Sequence, residues 1–77
     1  MQKQRKPRDN PLSDKEMEVL LRMAQGQTAL EIAKALGTSK ATVDYLTERI
    51  YDKLHAKNRV HAVMIAVRRG YVPLYGI

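Results

Sequence analysis

The sequence predicts an all-α domain of four helices, and three observations carry that prediction. Apolar residues recur at helical spacing in four separate stretches. Each stretch opens on a Ser, Thr or Asn of capping type, and glycines (Gly26, Gly37, Gly70) close three of them. No period-two apolar run with a hairpin dipeptide competes with them.

Helix one begins at Ser13. Glu16, three residues on, completes a capping box, and Leu12 can staple onto Met17. Asp14 and Glu16 lie in the first turn, where negative charge suits the helix macrodipole. Val19, Leu20, Met23 and Ala24 continue an aliphatic stripe to a stop at Gly26. Helix two repeats the device with Thr28 and Glu31. Ala29, Ile32, Ala33 and Leu36 fall at i, i+3, i+4 and i+7, one buried face that ends at Gly37.

Helix three runs from a Ser39 cap to about Leu54, with Val43, Leu46, Ile50 and Leu54 turned to the core. Its opposite side presents Ala41, Asp44, Tyr45, Glu48, Arg49 and Asp52. Helix four runs from Asn58 to Arg69 and stops at Gly70. It carries two apolar stripes. Val60, Val63, Met64 and Val67 form one. Ala62, Ile65 and Ala66, with Arg69 at the helix end, are assigned to a dimer interface. The alternative is that Tyr71 to Ile77 fold back over that second stripe, since Pro73 stops the helix from continuing.

The chain has 77 residues, enough for one domain with a thin core. It has no cysteine, which excludes a disulfide framework and a thiolate zinc site. No apolar run approaches the ~18 residues of a membrane span, and no apolar signal segment stands at the N-terminus. A soluble, cytoplasmic protein with no membrane partner is expected. The formal charge is +6 with a pI near 9.9, a balance that favours nucleic acid as partner. About half of it lies in the tail: Lys3, Arg5, Lys6 and Arg8 stand against Asp9, and the remainder is +3. Residues 1–10 read as a disordered basic tail and residues 11–77 as the folded domain.

A short helix, a tight Gly37-Thr38 turn and a longer serine-capped helix have the build of a helix-turn-helix, whose second helix lies in the DNA major groove. The ordered set of Leu12-Ser13 with Glu16, Glu18-Val19-Leu20, Gly26, Glu31-Ile32-Ala33 and Leu36 continues that pattern. Ser39 with Thr42-Val43, Ile50-Tyr51, Lys53-Leu54, Asn58-Arg59 and Ala62-Val63 complete it. This set resembles the LuxR/GerE-type helix-turn-helix family, from Leu12 to about Val72. The resemblance implies a four-helix transcription-factor domain with helix three as recognition helix and helix four as the usual dimer contact. The chain's length resembles stand-alone GerE-like regulators. Longer relatives carry an N-terminal sensor or receiver domain. Three positions depart from the family pattern: Asp44 where Lys or Arg is frequent, Leu46 where His is common, and His55 where Gly is usual.

Lys40, Thr42, Tyr45 and Arg49 are the first candidates for DNA contact. Thr42 can bond a phosphate at the positive helix end, or bond its own backbone instead. Lys40 suits a phosphate or solvent. Tyr45 can pack on a thymine methyl or bond a phosphate. Arg49 can take guanine N7 and O6 in a bidentate contact, or pair with Asp44 or Asp52. Asp44 and Glu48 can accept from cytosine N4, or be held by Lys40, Arg49 or Lys53. Lys53, Lys57, Asn58 and Arg59 cluster where they could grip the flanking backbone, although Lys53 and Lys57 also suit a helix C-terminus.

Catalytic chemistry is not expected. Ser13, Thr28 and Ser39 are caps with no base placed to activate them, and no glycine-rich phosphate loop is present. His55 and His61 do not make a metal site, and no cofactor is implied. The function expected is a dimeric, sequence-specific transcriptional regulator that binds symmetric sites on double-stranded DNA. Another regulator or RNA polymerase is a further candidate partner. The alternative is a protein-interaction module on the same scaffold, one that antagonises another regulator by heterodimerisation because Asp44, Glu48 and Asp52 spoil the DNA face.

Overall fold

The computed structural model describes residues 10–73. Four helices follow one another: α1 (Asp14–Ala24), α2 (Ala29–Leu36), α3 (Lys40–Leu54) and α4 (Arg59–Arg68). No strand occurs among the described residues. Residues 1–9 of the tail and residues 74–77 of the C-terminal segment lie outside them. Asn10, placed in the tail by composition, is tied to the domain: its Oδ1 accepts the Leu12 N–H at 2.9 Å.

The capping residues act as their spacing suggests. Ser13 Oγ accepts from Glu16 N at 3.1 Å, and Glu16 Oε1 accepts from Ser13 N at 2.8 Å. Thr28 and Glu31 repeat the exchange at 3.1 and 2.8 Å. Each box satisfies two backbone groups that a helix start otherwise leaves open. Ser39 and Asn58 cap α3 and α4 with single bonds to Thr42 N and His61 N. Between α2 and α3 the chain turns through Gly37 at φ 68, a left-handed geometry that costs glycine little. The matching position after α3 is His55 at φ 58, a side-chain-bearing residue in the same region.

Helix α3 is the hub, packed against α1, α2 and α4, while α1 also touches α2 and α4. Leu12, Val19, Leu20, Met23, Ile32, Ala33, Val43, Ile50 and Leu54 form most of the buried cluster. Leu46 sits at its edge, partly buried.

Helix α4 corrects the sequence-based assignment. Ala62 and Ala66 are fully buried in this chain's own core, so they are not available to a second copy. Ile65 is partly buried against the same cluster, and of the assigned interface residues only Arg69 is exposed. Conversely, Val60 is 69% exposed and Met64 54% exposed. Val63 and Val67 flank them, partly buried. The physical reason is approach distance: alanines four apart let α4 lie close to its neighbours, which the larger stripe would prevent. The C-terminal segment adds to this. Gly70 turns the chain at φ 80, Tyr71 N donates to Ala66 O at 2.8 Å, and the side chains of Tyr71 and Val72 join the core. The fold-back alternative therefore holds for these two residues.

Candidate nucleic-acid interface

The outer face of α3 follows from its core face. With Val43, Ile50 and Leu54 buried, about 100° per residue places Ala41, Tyr45, Glu48 and Asp52 on the opposite side. All four are exposed, Tyr45 at 60%. Two flanks border this strip. Lys40 and Asp44 lie towards α2, and Arg49 and Lys53 lie towards α1.

Each flank has its own electrostatics. On the α2 side, Lys40 Nζ meets Asp44 Oδ2 at 2.9 Å, with both side chains more than half exposed. Such a surface pair is worth little energy but cancels charge locally. On the α1 side, Glu16 receives both cations: Arg49 Nε at 3.2 Å on Oε2 and Lys53 Nζ at 2.8 Å on Oε1. Glu16 is only 2% exposed, and Arg49 is 45% exposed. Burial pushes the Glu16 carboxyl up. The Lys53 ammonium, the Ser13 N–H and the Arg49 guanidinium outweigh that and hold it below the usual glutamate value. In turn, the Glu16 bond raises Arg49 above its ordinary value, with Tyr45 contributing. The Arg49 guanidinium carbon lies 5.8 Å from the Tyr45 ring centroid, within cation–π range. Among the described residues, neither Glu48 nor Asp52 has an ion-pair partner.

The other candidate residues take definite places. Thr42 Oγ1 lies 3.0 Å from Ser39 Oγ, so its hydroxyl is engaged by the cap's side chain. Asn58 Oδ1 accepts from His61 N at 2.9 Å, and Lys57 N donates to His61 Nδ1 at 3.0 Å. Asn58 is thus a working cap, while the Lys57 side chain is exposed. Arg59 donates through Nη2 to the Gln27 carbonyl and ties the start of α4 to the loop before α2. Arg49 pairs with neither Asp44 nor Asp52, the partners considered from the sequence, but with Glu16. Glu16 is the residue that local sequence logic missed. Its neighbours in the sequence show only the cap, and its α3 partners lie 33 and 37 residues away. The arrangement can present one aromatic ring and one anchored guanidinium side by side on an exposed helix, with a carboxylate strip beside them.

Among the described residues, no helix is long and apolar enough to cross a membrane. A family model described as bacterial regulatory proteins, luxR family, matches residues 10–66. The transcriptional regulatory protein DesR of Bacillus subtilis (strain 168) is 39% identical over 62 residues, 80% of this chain and 31% of DesR. The transcriptional activator protein PhzR of Pseudomonas fluorescens is 41% identical over 64 residues, 83% of this chain and 26% of PhzR. Among solved structures, the response regulator ChrA of a heme-sensing two-component system superposes with a TM-score of 0.77 at 36% identity. That match covers 86% of this chain and 32% of ChrA. The chain thus spans roughly a third or less of the length of these relatives.

Proposed function

The chain belongs to the luxR family of bacterial regulatory proteins, and we propose that it binds specific double-stranded DNA sites by laying α3 in the major groove. The observation that carries this reading is the exposed Tyr45–Arg49 pair on the outer side of the second helix of the motif. Arg49 reads a guanine through N7 and O6, and Tyr45 packs beside it against a thymine methyl or a sugar-phosphate. Lys40 exchanges Asp44 for a phosphate on binding, and Thr42 sits at the same helix end. Asp44 or Glu48 accepts from a cytosine N4. Lys53 and Arg59 hold the scaffold behind this surface, Asn58 caps α4, and Lys57 reaches a flanking phosphate.

The charge balance shapes the energetics. Asp44, Glu48 and Asp52 offset the cations of α3, so the helix itself adds little to non-specific attraction. Basic residues outside it, Lys57 and the residues 1–9, supply the salt-dependent share of affinity. A homodimer on symmetric half-sites is part of the reading, with its contact on the outward stripe of α4 around Val60 and Met64. Both are exposed apolar residues on one side of one helix, as an interface core requires.

The test is selection of bound duplexes from a random pool at near-physiological salt. The expected result is a motif containing guanine, in two half-sites about 10 bp apart. No enrichment would overturn the proposal. A second reading rests on Glu48 and Asp52 lacking cationic partners: a protein-interaction module that pairs with another regulator and binds DNA weakly. In that case Asp44→Lys produces a large gain in DNA affinity, whereas for a DNA reader it destroys specific binding.

A further inference from the structure

A capping box needs one carboxylate oxygen and one backbone N–H, and Glu16 supplies that with Oε1 and Ser13 N. Nothing in the cap requires Arg49 or Lys53. Yet both reach the same buried carboxylate from α3, one on each oxygen. An arginine has two edges that can meet the paired acceptors of a guanine: the side edge of Nε with one Nη, and the end edge of both Nη groups. Glu16 occupies Nε. Lys53 on the other oxygen resists rotation of the carboxylate, and the Tyr45 ring flanks the guanidinium from its own turn of α3.

We propose that Glu16 is a positioning residue of the DNA-reading surface, which takes Arg49 by Nε so that the end-on pair of Nη groups is the edge offered to guanine. This rests on the reading of α3 as the groove-binding helix. A side chain already held in its binding rotamer loses less freedom on association, so the anchoring favours the guanine-containing site. Charge works in the opposite direction. Removing the carboxylate makes the surface more positive, which by itself tightens binding to every duplex. The two effects therefore differ in sign at the specific site, and the measurement separates them.

The experiment uses the full chain, the duplex that the wild type selects from a random pool, and a scrambled duplex of equal length. Binding is followed by fluorescence anisotropy at near-physiological salt, with folding checked by circular dichroism. Glu16→Gln is expected to weaken binding to the selected duplex by about three- to tenfold, the range for releasing one ordered side chain. Binding to the scrambled duplex stays the same or tightens. In an Arg49→Ala background, Glu16→Gln no longer weakens binding to the selected duplex, which stays the same or tightens. Arg49→Lys keeps the charge but replaces the two-edged planar guanidinium with a compact ammonium that lacks the fork matching a guanine. It shows the same selective weakening, as guanine reading by Arg49 also requires. If Glu16→Gln does not fold, Glu16→Asp, which keeps the charge on a side chain one methylene shorter, is read in the same two backgrounds with the same expected loss at the selected duplex. Equal weakening on both duplexes, an undiminished Glu16→Gln effect in the Arg49→Ala background, or wild-type binding by Arg49→Lys each overturns the proposal. A wild type that selects no duplex removes the groove-binding reading, and this inference with it. A wild type that selects a motif while the Glu16 variants fail these expectations removes the role of Glu16 alone.

Discussion

Replacing Ala66 with leucine while separately replacing Met64 with glutamate separates the inner from the outer side of α4. Ala66 is fully buried, in a cluster closed by Tyr71 and Val72, whose N–H groups both point to the Ala66 carbonyl. A leucine there adds three heavy atoms to a fully buried site and is expected to displace its neighbours, at about 1–3 kcal/mol. A chain of 77 residues has a total stability of roughly 4–12 kcal/mol at ~0.05–0.15 kcal/mol per residue. On a urea slope of about 1 kcal/mol/M, the Ala66→Leu midpoint falls by about 1–3 M. Met64 is 54% exposed, so Met64→Glu shifts the monomer's midpoint by no more than about 0.5 M. It should instead dissociate the proposed dimer, because each copy would place a carboxylate in an apolar contact. Urea titrations followed by circular dichroism, run at two protein concentrations, read the first effect, and sedimentation velocity reads the second. The two concentrations are needed because association adds to apparent stability. If Ala66→Leu left the midpoint unchanged and abolished self-association while Met64→Glu did neither, the assignment of faces would be inverted and the packing argument refuted.

His55→Gly should stabilise the domain by about 1 kcal/mol, since φ 58 strains a residue with a Cβ and suits glycine; an unchanged or lower urea midpoint would count against this. Glu16 should make stability pH-dependent in a defined sense. Its carboxyl is held below the ordinary value of 4.5, so between the two values the unfolded chain binds more protons than the folded one. The contribution is complete above that ordinary value and is lost as pH falls through the folded value. The gap in urea midpoint between wild type and Glu16→Gln should therefore shrink on acidification, and a constant gap would contradict the ion-pair assignment. Arg49→Ala should cost about 1–3 kcal/mol at one base position, whereas Lys40→Ala should weaken all sequences alike. Selection on a randomised site library reads both, and an unchanged selected motif with Arg49→Ala would remove Arg49 from base contact.

What the amino-acid sequence determined by itself is everything that rests on bonds between residues three or four apart. The two capping boxes, the Ser39 and Asn58 caps, the left-handed Gly37 and the apolar stripes of α1 to α3 are local, and each is written in neighbouring letters. The exposed face of α3 follows from its buried stripe by periodicity alone, so Tyr45, Glu48 and Asp52 were legible as outward residues. Tertiary structure decided three further matters. It chose between the two apolar stripes of α4, because spacing is blind to how closely helices approach, and a pair of alanines outcompetes larger side chains at a tight crossing. It carried Tyr71 and Val72 back onto the core, which no helical period announces. It also brought Glu16 to Arg49 and Lys53, turning a cap into a buried ionic hub. That contact depends on how α1 lies against α3, a geometry set by packing of the whole domain and absent from any short window of the chain.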